Sequence, residues 1–297
     1  MSWQAIARKD FQDSVRSWWI LGLSAIFVVL FTVPAYFLAQ EIGGLVAQET
    51  GEQLTSDAFI DLLSSFIAFF IPIVAIVLAY ASVAGERDSG TMKLLLSLPH
   101  SRRDVIVGKF LGRSGVIVLP ILLGFLAAAV VFLITPVSLE FGNYVAFALL
   151  SALLGVVFVG LAVGISAAAE TRRQAMLGNV GIYVVFTLFW GSFAEGLVNL
   201  LDEYTGLEFE TLAQIQLATL LFNPTEAYQS LAAILWTADA LGARLAVFGG
   251  GIAAQIYGQA LDPLPAYFSD PVVALVFLAW LVVPAVLGYL VFREADL

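Results

Sequence analysis

Residues 62–85 read LLSSFIAFFIPIVAIVLAYASVAG, a run of 24 positions without one charged side chain, bounded by Asp61 and Glu86. At 1.5 Å per residue a helix of that length crosses a hydrocarbon layer about 30 Å thick. Five other windows share its character: 17–40, 114–139, 141–169, 174–194 and 271–292. They place six helices near 18–39, 60–84, 114–134, 144–168, 176–196 and 271–291, an all-α polytopic membrane protein. Composition agrees. Charged residues make up 12% of the 297 positions and hydrophobic ones 61%, against roughly 25% and 45–50% in soluble domains.

Six spans put both termini on one side. That side collects 12 of the 13 basic residues, every one except Arg244, and by the positive-inside rule it is the cytoplasm. An odd number of spans scatters the same residues over both faces. The opposite face holds 15 of the 23 carboxylates. Arginine outnumbers lysine ten to three, and an acidic outer face with little lysine suits a salt-loving prokaryote. The first window is too long for a signal-peptide core and shows no cleavage site, so it reads as a retained span. The net charge of −10 repels nucleic acid.

Residues 197–270 form an outer segment too long for a loop and too apolar for a soluble domain. Residues 211–222 and 227–236 read as short helices on either side of Pro224. Residues 245–261 carry no charge but contain Gly249, Gly250, Gly251, Gln255 and Gln259. They read as a re-entrant or interfacial helix, which is allowed where protein or a cavity satisfies the backbone.

At the N-terminus, Trp3, Ala7, Phe11, Val15 and Trp18 recur at helical spacing. Ser2 caps their start and tryptophan suits headgroup depth, which gives an amphipathic helix lying on the inner leaflet. A plain basic anchor for the first span is the simpler alternative.

Between spans two and three, residues 85–113 form the most informative loop. Ser89 and Gly90 can end the helix leaving the membrane, Thr91 can cap a short helix, Pro99 stops it, and Ser101 with Asp104 forms a capping box for the next helix. Met92, Leu94, Leu95, Leu96 and Leu98 make that short helix unusually apolar. It either docks a partner or folds back onto the membrane surface.

The run Glu86-Arg-Asp-Ser-Gly-Thr-Met-Lys-Leu-Leu-Leu-Ser-Leu-Pro99, followed by Ser101-Arg-Arg103 and Gly108-Lys109, resembles the first cytoplasmic loop of ABC-2 type transporter permeases. The branch it resembles includes the permease that accompanies nitrous-oxide-reductase maturation. The resemblance implies a unit of two permeases and two cytoplasmic ATPases, with ATP bound on the partner subunit and none on this chain. The second permease is a copy of this chain or a paralogue. Within the loop, Glu86, Arg87, Gly90, Thr91, Met92, Lys93, Leu94, Leu95, Leu96 and Leu98 then form the coupling element. Glu86, Gly90 and Thr91 shape it, and Met92, Leu95 and Leu96 fill a groove in the ATPase. The N-terminal helix becomes a second contact, and Glu170, Arg172 and Arg173 a lesser one or an ordinary basic flank. The outer segment caps the pathway, and the direction is export.

Several classes are excluded or disfavoured. No Gly-x4-Gly-Lys-Ser/Thr loop occurs, so this chain does not bind ATP in a P-loop. The six spans carry no charge at their centres, against the habit of ion-coupled carriers. There is no cysteine and one histidine, His100, in a turn, too little for an intramembrane catalytic site or a copper ladder. Gly160 and Gly164, with Gly155 before them, offer a smooth face for a dimer partner or for a neighbour in the same chain. Asn179 suits a hydrogen bond to another helix. Pro34, Pro72, Pro120 and Pro284 lie within spans and can kink them. A non-transporting anchor or scaffold for a cytoplasmic partner also fits the apolar loop.

Overall fold

The computed structural model describes residues 2–50, 53–92, 101–249 and 251–294. Among these, six helices are long and apolar enough to cross a membrane: Trp18–Val46, Asp57–Asp88, Arg102–Leu133, Phe141–Ala168, Arg172–Thr205 and Asp270–Glu294. They are spans one to six below. The described residues hold no strand, only a single bridge between Thr55 and Ser138 that ties the loop before span two to the loop before span four.

The helices outrun the apolar windows where polar residues cap them. Span three begins twelve residues before its window, at Arg102. Ser101 Oγ accepts from the Asp104 amide while Asp104 accepts from the Ser101 amide, so two orphan donors are satisfied at once. Thr171 and Gln174 form the same box at the start of span five. Spans two, three and four make the core and span four is the most buried, whereas span five is the least covered.

Glycine decides how closely the spans approach. At Gly160 a Cβ would come within 2.9 Å of the Leu281 carbonyl, and at Gly164 and Gly288 it would overlap backbone of the facing span outright. Spans four and six therefore touch backbone to backbone, and the smooth face of span four is used within the chain. Gly155 meets Ile117, Ile121 and Ile71 of spans three and two. Asn179 is buried and donates to the Ala175 carbonyl of its own helix.

The outer segment folds back into the bundle. Helices Phe209–Phe222 and Pro224–Thr237 form a hairpin whose turn, Asn223 and Pro224, is buried. Asn223 caps the second helix through Oδ1 and donates Nδ2 to the Phe186 carbonyl (2.8 Å), in the middle of span five. That carbonyl belongs to a π-turn, Val185–Phe189, whose shifted hydrogen bonds leave acceptors to be met from outside the helix. Trp280 of span six donates to the Phe222 carbonyl and Trp190 to that of Thr219, each at 2.8 Å. Tyr228 meets Ser151 of span four at 2.9 Å. The hairpin thus reaches the level of mid-span residues, tied there by side-chain hydrogen bonds.

Later in the outer segment the chain turns at Gly249, which has φ +76°, and helix Gly251–Ala260 follows. Its Tyr257 stacks on Phe248 (4.2 Å between centroids) and donates to Gln216 (2.6 Å). Glycine there serves a turn, and Gln255 and Gln259 are exposed.

Arg244, the one basic residue expected on the far face, is fully buried. It pairs with Asp270 and donates to the Phe268 carbonyl and Ser230 Oγ, both at 2.8 Å. One guanidinium thereby fastens the hairpin to the start of span six.

Two outcomes follow for thermal unfolding in detergent. Gly164→Ala should cost about 2 kcal/mol or more, since the added methyl has no space, whereas Gly181→Ala, with nothing within 4 Å, should be neutral or slightly stabilising. Arg244→Ala should lose about 3 kcal/mol and open the hairpin to protease; an uncleaved, equally stable variant would contradict the staple.

Candidate functional site

The polar chemistry gathers at the end where the two termini meet. Helix Ser2–Val15 lies across the first turns of span three. The contact is possible because span three presents glycine there. A Cβ at Gly108 would strike Ile6 at 2.7 Å, one at Gly112 would meet Asp10 at 2.9 Å, and one at Gly115 would meet the Phe11 ring at 2.9 Å. Ile6 and Asp10 are the buried positions of the N-terminal helix. Trp3, Ala7, Phe11 and Val15 flank that line, and Trp18 stands exposed at the head of span one.

Lys109, next to Gly108 on span three, is buried and points between two carboxylates. Its Nζ is 3.1 Å from Asp10 Oδ1 and 2.6 Å from Glu86 Oε1. Arg113, one turn on, donates Nη2 to Asp10 (3.3 Å) and Nη1 to the Leu78 carbonyl of span two (3.0 Å). Its Nε also lies 2.9 Å from Asp10 Oδ2, at an angle that makes this an ion contact and leaves both atoms without a well-directed hydrogen bond. Two cations and two anions therefore close a neutral cluster. Such a cluster contributes little net stability, because desolvation offsets attraction, but losing one member is costly. Its effect is to fix position.

Glu86 does more than hold Lys109. It lies in the short helix Ala84–Asp88 that continues span two after a turn. Ser166 of span four docks the start of that helix, with its Oγ accepting from the Val83 and Ala84 amides at 3.1 Å each. Arg87 donates to the Ala169 carbonyl (3.3 Å). Gly90 then takes φ +74°, a left-handed turn that favours glycine. The hydroxyls of Ser89 and Thr91 both donate back to the Glu86 carbonyl, at 3.3 and 3.2 Å. Thr91 and Met92 open the next helix, with Met92 buried. Lys93, Leu94, Leu95, Leu96, Leu98 and His100 lie outside the described residues. The side chain of Glu86 thus holds span three, and its carbonyl holds Ser89 and Thr91 at the exit from span two.

The loop between spans four and five contributes less. Arg172 donates to Tyr80 Oη at 2.8 and 3.1 Å and lies over that ring. Glu170 and Arg173 are exposed. Arg102 clamps the end of span six, donating to the carbonyls of Phe292 (2.6 Å) and Arg293 (3.0 Å), where a cation also opposes the helix dipole.

Asp10, Lys109 and Arg113 were not singled out from sequence. A signal was present. Gly108-Lys109 and Gly112-Arg113 repeat four residues apart, a small-residue track edged by cations. Asp10 stands one turn beyond Ile6 on the line that meets it.

The chain matches the model of the ABC-2 family transporter proteins over residues 4–297. It is 30% identical over 295 residues to the probable ABC transporter permease protein NosY of Stutzerimonas stutzeri, covering 97% of each chain. It is 34% identical over 190 residues to the protein of the same name from Pseudomonas aeruginosa, covering 62% of this chain and 66% of that one. ABC permeases pair with an ATPase subunit and carry no ATPase domain themselves. With six spans, a docked N-terminal helix and a loop anchored through Glu86, the chain belongs to the ABC-2 transporter family as a multi-pass permease subunit energised by a separate ATPase.

Proposed function

We propose that the loop of residues 91–98 is the coupling helix, seated in a groove of the cytoplasmic ATPase with Leu95 and Leu96 as its contacts, while Met92, expected from sequence as a third, is buried inside the permease and anchors the start of the loop. In this reading Glu86 is the transmission point. Movement of the loop helix pulls on the Glu86 carbonyl through Ser89 and Thr91, and the Glu86 carboxylate passes it to Lys109 of span three. Asp10 shares Lys109, so the N-terminal helix moves with span three. The observation that carries the reading is this double attachment of Glu86.

The working unit is two permeases with two ATPases in the cell membrane of a salt-adapted prokaryote, both termini cytoplasmic. ATP-driven closure of the ATPases tilts the spans in an alternating-access export cycle. The hairpin of residues 209–237 caps the pathway on the far side, and the exposed flank of span five is available to a second permease, a copy or a paralogue. Glu170 and Arg173 make a minor contact with the ATPase.

Detergent pull-down of the ATPase by tagged permease tests the assignment. Leu95→Asp should weaken retention roughly a hundredfold, since it buries an unpaired charge at a cost of about 3 kcal/mol. Glu86→Gln should retain the ATPase but lose the effect of the permease on hydrolysis. Retention of the ATPase by Leu95→Asp would remove the loop from the interface, and unchanged hydrolysis in Glu86→Gln would remove Glu86 from the transmission path.

A further inference from the structure

Spans one and two meet at Phe27 and Phe70, whose rings are 5.6 Å apart. Toward the end that holds the termini they part. The gap is a groove of about 400 Å³ walled by Trp18, Trp19, Gly22 and Ile26 on one side and Val74 and Val77 on the other. A Cβ at Gly22 would meet nothing within 4 Å, so the groove has no floor residue there. Trp18 and Trp19 are 86% and 88% exposed, rings suited to the boundary between hydrocarbon and headgroups.

Directly above it lies a second hollow, about 450 Å³ and polar, under the N-terminal helix. The two adjoin at both walls. Ser17 of the hollow precedes Trp18 of the groove. Arg113 of the hollow donates to the carbonyl of Leu78, which lines the groove. Asp10, Glu86, Lys109 and Arg113 are engaged with one another there. Lys9 and Asp13 also line the hollow. They stand one helical turn apart, and neither side chain makes a hydrogen bond or ion pair with a described residue.

We propose that a membrane phospholipid docks here, with one acyl chain in the groove between spans one and two and its phosphate at Lys9. An apolar slot open to the side and next to a polar hollow matches an amphipath with a long chain and a charged head. Lys9 lines the hollow and supplies a cation for the phosphate, while Asp13 and the Ser17 hydroxyl can take headgroup donors or hydroxyls. The site touches the ion cluster on its open side, so its occupant fills space next to Asp10 and Glu86. The inference stands on these two cavities and is independent of how the ATPase docks.

Native mass spectrometry of the full-length permease in mild detergent, titrated with phosphatidylglycerol, tests it. Wild type should keep one phospholipid per chain. Gly22→Trp and Val77→Trp, which fill the groove from opposite walls, should lose it while keeping the wild-type circular dichroism spectrum. If one of the two fails to fold, the other decides. Lys9→Gln should bind about tenfold more weakly, and diacylglycerol with the same chains should bind wild type no better than it binds Lys9→Gln. The proposal is overturned if wild type carries no phospholipid, if a folded filled variant keeps it, or if cross-linking from position 22 finds a second permease seated in the groove.

Discussion

Lys109 holds the arrangement of one whole end of the molecule because of where its two carboxylates come from. Asp10 belongs to a helix that precedes every span, and Glu86 to the loop that leaves span two. Neither segment is fixed there by apolar burial alone. The N-terminal helix is short and mostly exposed, and the loop turns sharply at Gly90. A buried ammonium flanked by two acids is directional in a way that packing is not. The ammonium lies within reach of both acids at once, and the glycine track on span three lets the helix come close enough for Asp10 to meet it. Arg113 completes neutrality, so the cluster sits in a half-buried place without a net charge to solvate.

The far end is held by a different device. A hairpin without any span of its own penetrates the bundle, and three side-chain bonds tie its turn there: Asn223 donates to the Phe186 carbonyl of span five, Trp280 to the Phe222 carbonyl and Trp190 to that of Thr219. Arg244 pins the base of the hairpin to span six through Asp270. One end of the molecule is thus fastened by ions around Lys109 and the other by ions around Arg244. Between them, spans four and six are in backbone contact at Gly164 and Gly288.

The number of spans and the side that gathers the basic residues were legible in the sequence, because charge is costly in hydrocarbon and its absence leaves windows. The turn at Gly90 and the cap at Ser101 were legible for a similar local reason: a left-handed residue and a reciprocal capping pair announce themselves within four positions. What a neighbouring helix touches is not local. Periodicity identified the apolar face of the N-terminal helix from Trp3 to Trp18, yet its deepest residues are Ile6 and Asp10, because the facing surface is a glycine track with cations beside it. The glycines of span four announced close packing but not its partner. In the outer segment, two short helices around Pro224 were visible, but their depth depends on carbonyls offered by the π-turn of span five, which no side-chain pattern encodes.

The most direct measurement is the unfolding temperature in detergent of Lys109→Met beside the double variant Glu86→Gln, Lys109→Met, which leaves Asp10 paired with Arg113. If Lys109 and Glu86 depend on one another, the single change strands the Glu86 carboxylate and costs about 3–5 kcal/mol, and the double variant recovers most of that loss. If the double variant instead unfolds lower than the single one, the losses add, the charges act independently, and Lys109 is not what holds the N-terminal helix and the loop together.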